Sequence, residues 1–214
     1  VTERTTTETA DVGEPRRRGP YRKSRLVRRR ILDAALEVFA QSGYRTGSVR
    51  EIAARVGMSE AGLLHHFPSK SALLAAVLAH RDALAAERVD RDTDDGLVAL
   101  ARLVGLARAD ADRPRVVELY CVISAEATAP DHPAHAFFVD RYARLRARIA
   151  DSFERVRAAG QLRDGVDPQR AAAQMMAVWD GLQLQWLLDR SSVDVAAELA
   201  DHVQRHLRVP LPRA

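Results

Sequence analysis

Thr46, Ser48, Arg50, Ser59, Glu60, Ala61, Gly62, His65 and Lys70 form a group whose types and spacing suit contact with a polyanion. Hydroxyl, guanidinium, imidazole and ammonium groups all donate to phosphate oxygens, and several of them also read base edges. Ala61 and Gly62 add little bulk, so a helix carrying them can bring its backbone close to a groove. Glu60 has two possible uses. It can accept from a cytosine amino group, or it can stabilise a helix start through the dipole.

Two short helices and a turn are needed to position this group. Ser48-Val49-Arg50-Glu51 has the spacing of a capping box, and Ile52, Ala53 and Val56 follow at helical intervals. Gly57 can adopt the left-handed conformation that ends a helix. Ser59 can cap a second helix, with Leu63 and Phe67 on its apolar side and Pro68 as its stop. Helix, glycine turn and second helix make a helix-turn-helix, which places its second helix in a DNA major groove. Upstream, Leu32, Ala35, Leu36 and Phe39 give a first helix one buried stripe, ended by Gly43.

These residues resemble the TetR family of transcriptional regulators. The resemblance rests on Gly43-Tyr44, Ser48-Val49-Arg50-Glu51-Ile52-Ala53, Gly57-Met58-Ser59, Leu63-Leu64-His65-His66-Phe67 and Ser69-Lys70, and spans roughly 25–84. Leu64 departs from it, standing where the family usually has a tyrosine that touches a phosphate. Glu60 stands where a basic or small residue is common. The resemblance implies phosphate contacts from Lys70, a homodimer on a palindromic operator, and a small effector held in the C-terminal body.

Composition agrees with an all-α chain. Of 214 residues, 47% are apolar but only 5% aromatic, so strand-favouring types are scarce. The net charge of +4 is unevenly spread. Residues 1–30 hold 10 Lys and Arg against 4 Asp and Glu, whereas the rest hold 23 against 25. A basic end beside a near-neutral body suggests nucleic-acid contact at one end. Three parts are expected: a disordered basic arm over 1–22, a helix-turn-helix domain over 23–70, and an α-helical effector and dimerisation domain over 71–214. Helices are expected over 70–89, 96–110, 114–127, 134–159, 168–188 and 193–207. With neither a signal-peptide pattern nor a long apolar span, no membrane contact is expected and the cytoplasm is the expected compartment.

Within the body, Tyr120, Cys121, Phe137, Met175, Trp179, Gln183 and Trp186 mix polar and aromatic groups into apolar helices, as effector pockets do, so the expected effector is a mostly apolar small molecule with one or two polar groups. Met176, Leu184 and Leu187 are expected on the surface that pairs two subunits. His132-x-x-His135 has metal-ligand spacing but no completing carboxylate or thiolate, so no metal or cofactor is expected. Cys121 lies among apolar neighbours, which favours a buried thiol over a redox switch. Glycine-rich phosphate loops and a G-x-S-x-G elbow are absent, so an enzyme is not expected. The reading is a ligand-responsive repressor. Its alternative is a helical small-molecule-binding protein or enzyme with a vestigial head.

Overall fold

A computed structural model describes residues 20–89 and 95–213. The expected arm falls largely outside the described residues. Nine helices account for nearly all regular structure there: α1 (Pro20–Thr46), α2 (Val49–Val56), α3 (Glu60–His66), α4 (Lys70–Val89), α5 (Gly96–Asp110), α6 (Pro114–Glu126), α7 (His135–Ala158), α8 (Pro168–Leu188) and α9 (Val195–Gln204). The chain is all-α, and Leu162 and Leu207 make only an isolated bridge. No helix among the described residues is long and apolar enough to cross a membrane.

Local chemistry sets the helix ends. Ser48 accepts from the Glu51 N–H and Ser59 from the Gly62 N–H, each satisfying a donor that the first turn leaves orphaned. The expected capping box is only half made. The Glu51 carboxylate pairs with Arg55 at 2.9 Å, one turn on, so charge pairing has taken the group that would have reached back. Gly57 is left-handed at φ 72°, with Gly57 N–H on Ala54 O and Met58 N–H on Ala53 O, the paired bonds of a Schellman motif. Ser69 caps α4 through the Ala72 N–H, and Asp167 caps α8 through that of Gln169. α1 breaks at Gly43 (φ 73°, ψ 164°) and resumes as far as Thr46.

Two cores result. The first buries Ile31, Ala35, Val38, Phe39, Ile52, Leu63 and Phe67 of the head with Leu73, Leu74, Val77 and Leu78 of α4. It does not stop at the expected boundary after residue 70, because Leu119, Ile123 and Ala127 of the α6 region and Phe138 of α7 belong to it too. The head is therefore packed onto the body rather than tethered to it. The second core joins α5, α7, α8 and α9 around Leu100, Phe153, Met175 and Leu199.

Helix α5 enters this second core by a close approach. A Cβ at Gly96 would collide with the Ser152 carbonyl of α7 and lie 2.9 Å from Val156 Cγ2. Gly96→Ala should cost about 1–3 kcal/mol, because overpacking outweighs any gain in helix propensity. A lowered urea midpoint with an unchanged slope would register it.

Candidate functional site

The second helix of the motif, α3, presents Glu60, Ala61, Leu64 and His65 outward, while Leu63 is fully buried beneath it. Gly62 is half-buried. Thr46, Ser48, Arg50 and Ser59 are exposed around it. The nine residues proposed to meet DNA thus lie on α3 and on its flanks at the starts of α2 and α4. Ser59 Oγ already accepts from Gly62 N–H at 3.1 Å, and its hydroxyl hydrogen remains able to donate to a phosphate. Lys70 Nζ donates to Arg45 O at 2.8 Å and lies 4.9 Å from the Tyr44 ring centroid. Burial pushes its pKa below the usual lysine value. Leu64, 37% exposed, replaces a hydroxyl donor with an apolar surface suited to a thymine methyl.

Two basic residues of the Arg28-Arg29-Arg30 run serve the fold. Arg28 Nη1 donates to His66 O at 2.9 Å, and its guanidinium lies 4.0 Å from the Phe67 ring centroid. Arg30 Nη2 donates to Val56 O at 3.4 Å. Both satisfy carbonyls near the C-terminal ends of the motif's helices, where positive charge is also favoured by the dipole. Sequence alone shows a charge run. The partners are 38 and 26 residues away.

A cavity of about 980 Å³ lies in the body, walled by α4, α5, α6, α7 and α8. Tyr120, Cys121, Trp179 and Gln183, four of the seven residues expected around an effector, line it. Three other expected pocket residues do not. Met175 is fully buried in the second core, and Phe137 packs against the first. Trp186 borders a separate pocket between α5 and α9, where Arg190 stacks on its ring at 4.0 Å. The dimer set also needs correction. Met176 lines the cavity and, at 6% exposure, offers no outer surface. A helix apolar on several sides does not reveal which side faces its own core.

Charged and hydroxyl groups beyond the expected set also define the cavity. Arg141 Nε donates to both oxygens of Asp82 at 3.0 and 3.1 Å, and Arg81 pairs with Asp110. Tyr120 Oη donates to Leu78 O at 2.9 Å, with Asp82 Oδ1 at 3.4 Å. Tyr142 Oη donates to Asp180 Oδ2 at 2.8 Å. Burial is the largest influence on Asp110, Asp180 and Tyr142. It raises Asp110 and Asp180 above the usual carboxylate value and pushes the Tyr142 hydroxyl up to about 12. The Cys121 thiol is held at about 11, chiefly by burial and then by nearby Asp180, so it stays protonated at neutral pH. His132 and His135 stabilise the α6–α7 loop: His132 Nδ1 accepts from Ala134 N–H, and His135 Nδ1 lies 2.8 Å from Ala127 O.

Comparison with known proteins accounts for both regions. Residues 31–77 match the model of the tetR family of bacterial regulatory proteins, and residues 99–209 match that of the BetI-type transcriptional repressor C-terminal region. The HTH-type transcriptional repressor AcnR of Corynebacterium efficiens is 30% identical over 189 residues, covering 86% of this chain and 93% of its own. The regulator BetI of Rhizobium meliloti is 29% identical over 191 residues, covering 85% and 89%. Among solved structures, a transcriptional regulator from Saccharomonospora viridis in complex with choline aligns with a TM-score of 0.71 at 27% identity. That alignment covers 86% of this chain and 98% of the other.

Proposed function

The chain belongs to the TetR family of transcriptional regulators, and from that premise we propose that it is a homodimeric repressor released from a palindromic operator when a small molecule enters the cavity. DNA binding and ligand response follow from the family. The site, the assembly and the coupling are our reading. One observation carries it: α6 has two working faces. Leu119 and Ile123 are buried in the core shared with the head, while Tyr120, Cys121 and Ser124 line the cavity. Helix α4 is divided along its length in the same way, with Leu73 to Leu78 in the head core and Ala79 to Ala86 along the cavity.

A ligand that displaces either helix thus moves buried side chains against α1. Its effect on DNA binding equals its preference for one head arrangement over the other. Linkage sets a quantitative demand: operator DNA must weaken effector binding by the factor by which effector weakens DNA binding. The Saccharomonospora viridis regulator in complex with choline supports a small-molecule effector for this fold. Enzymatic chemistry is not favoured by any grouping described above.

The dimer is assigned to the outer face of α8 together with α9. Leu184 and Leu188 are 55% and 81% exposed on α8, with Leu187 half-buried beside them. Exposed Ala173 and Ala177 leave room for a close helix approach. Leu184→Glu should give monomers in sedimentation at micromolar concentration and at least a tenfold loss of operator affinity, because two linked heads bind jointly. A wild-type chain that sediments as a monomer would remove the dimer from the proposal.

Selection of bound fragments from genomic DNA tests the regulator itself. Enriched fragments should share an inverted repeat whose half-sites lie about one helical turn, or a multiple of it, apart. Binding without sequence preference would reject the operator.

A further inference from the structure

We propose that the cavity takes a bulky organic monocation whose charge is received by Asp180, an inference that rests on the cavity being the effector site. Among the described residues, its other carboxylates already have cations. Asp82 holds Arg141, Asp110 holds Arg81, and Asp151 holds Arg155 at 3.1 Å. Within the described residues Asp180 has one hydrogen bond, from Tyr142, and no ion pair. The fold thus leaves a half-buried carboxylate whose charge is not matched, and a buried charge is costly unless paired.

The other cations of the wall do not supply the match. The Arg141 guanidinium gives its Nε to Asp82 and lies 5.1 and 5.9 Å from the ring centroids of Tyr120 and Tyr142. Arg144 is exposed to water, and Arg148 has an interaction of its own. Consistent with this, burial raises the Asp180 carboxyl more strongly than Tyr142 and Arg141 together lower it. Adding an anionic ligand near Asp180 would place like charges in a poorly solvated space.

The walls favour the same class. Trp179, Phe138 and Tyr142 line the cavity with Asp180, and aromatic faces attract cations through their quadrupole. Leu103, Leu145 and Ile149 supply apolar surface for the remainder of the molecule. A volume of about 980 Å³ far exceeds a bare ammonium and matches a drug-sized ligand.

Tetraphenylphosphonium and tetraphenylborate, similar in shape and opposite in charge, separate charge from bulk. Titrated into the full chain by calorimetry and tryptophan fluorescence, the phosphonium should bind more tightly by about tenfold or more. Asp180→Asn, which keeps the volume and an oxygen for Tyr142, should erase that preference while leaving thermal unfolding close to wild type. Borate binding as tightly as phosphonium, or phosphonium affinity unchanged by Asp180→Asn, would overturn the assignment. The wild-type comparison decides the question even if the variant folds poorly. Release of the selected genomic DNA is measured in parallel. Release by borate alone overturns the cation and leaves the effector site standing. Asp180-dependent phosphonium binding without release upholds the cation and removes the effector role.

Discussion

Ala61→Glu should leave folding and assembly intact while weakening operator binding by about thirtyfold or more. Ala61 is exposed on α3, and no packing depends on its methyl group. It lies in the first turn of the helix, where a carboxylate is favoured by about 0.3–1 kcal/mol, so stability should hold or rise slightly. In the groove the same carboxylate would face phosphates and acceptor-rich base edges. Losing a good base contact costs about 1–3 kcal/mol, and a two-fold dimer carries the change twice, for about 2–6 kcal/mol. Fluorescence anisotropy on the selected operator, set beside a thermal melt, separates the two effects. Unchanged affinity with an unchanged melt would mean that α3 is not the helix in the groove.

The head was legible because its determinants are local. Ser48, Gly57, Ser59 and Ser69 act on backbone groups within a few residues of themselves, and each occupies the position its type suggests. Hydrophobic spacing likewise placed Ile52, Ala53, Leu63 and Phe67 inward. What sequence could not supply was the identity of distant partners. Arg28 and Arg30 looked like part of a cationic surface, yet they bind carbonyls of α3 and α2. Met176 could be assigned to an apolar helix, but periodicity does not distinguish a cavity wall from a subunit interface. Asp82, Asp110, Arg141 and Asp180 went unnoticed for a related reason. A single charge on a helix ordinarily marks a solvated face, and only the packing of α4, α5, α7 and α8 around one cavity turns these toward it. Asp180 carried the one readable signal, standing directly between Trp179 and Gly181 as the sole charged residue between Arg170 and Asp189.

Arg141→Met should lower stability by about 3 kcal/mol, and a second substitution should restore much of it. Arg141 on α7 gives its Nε to both oxygens of Asp82 on α4, and both side chains are about four-fifths buried, at 17% and 20% exposure. Methionine replaces the stem but not the charge. It leaves a carboxylate whose remaining hydrogen-bonding neighbour among the described residues, the Tyr120 hydroxyl, is 3.4 Å away and already donates to Leu78 O at 2.9 Å. Breaking one side of a buried pair is far costlier than replacing both sides, because the partner stays desolvated and uncompensated. Asp82→Asn in the Arg141→Met background removes that charge and should recover at least half of the loss. A double-mutant cycle by urea denaturation isolates the coupling, and a coupling near zero would make the pair incidental. The consequence for DNA follows from where α4 runs. The helix begins at Lys70 beside the head, and Asp82 lies just past its contribution to the head core. The clasp therefore fixes the body end of the helix that leads from the DNA surface to the cavity. Operator affinity of the single variant, measured where it is fully folded, should change and should return toward wild type in the double variant. Recovery of stability without recovery of affinity would separate the clasp's structural contribution from any part in positioning the head.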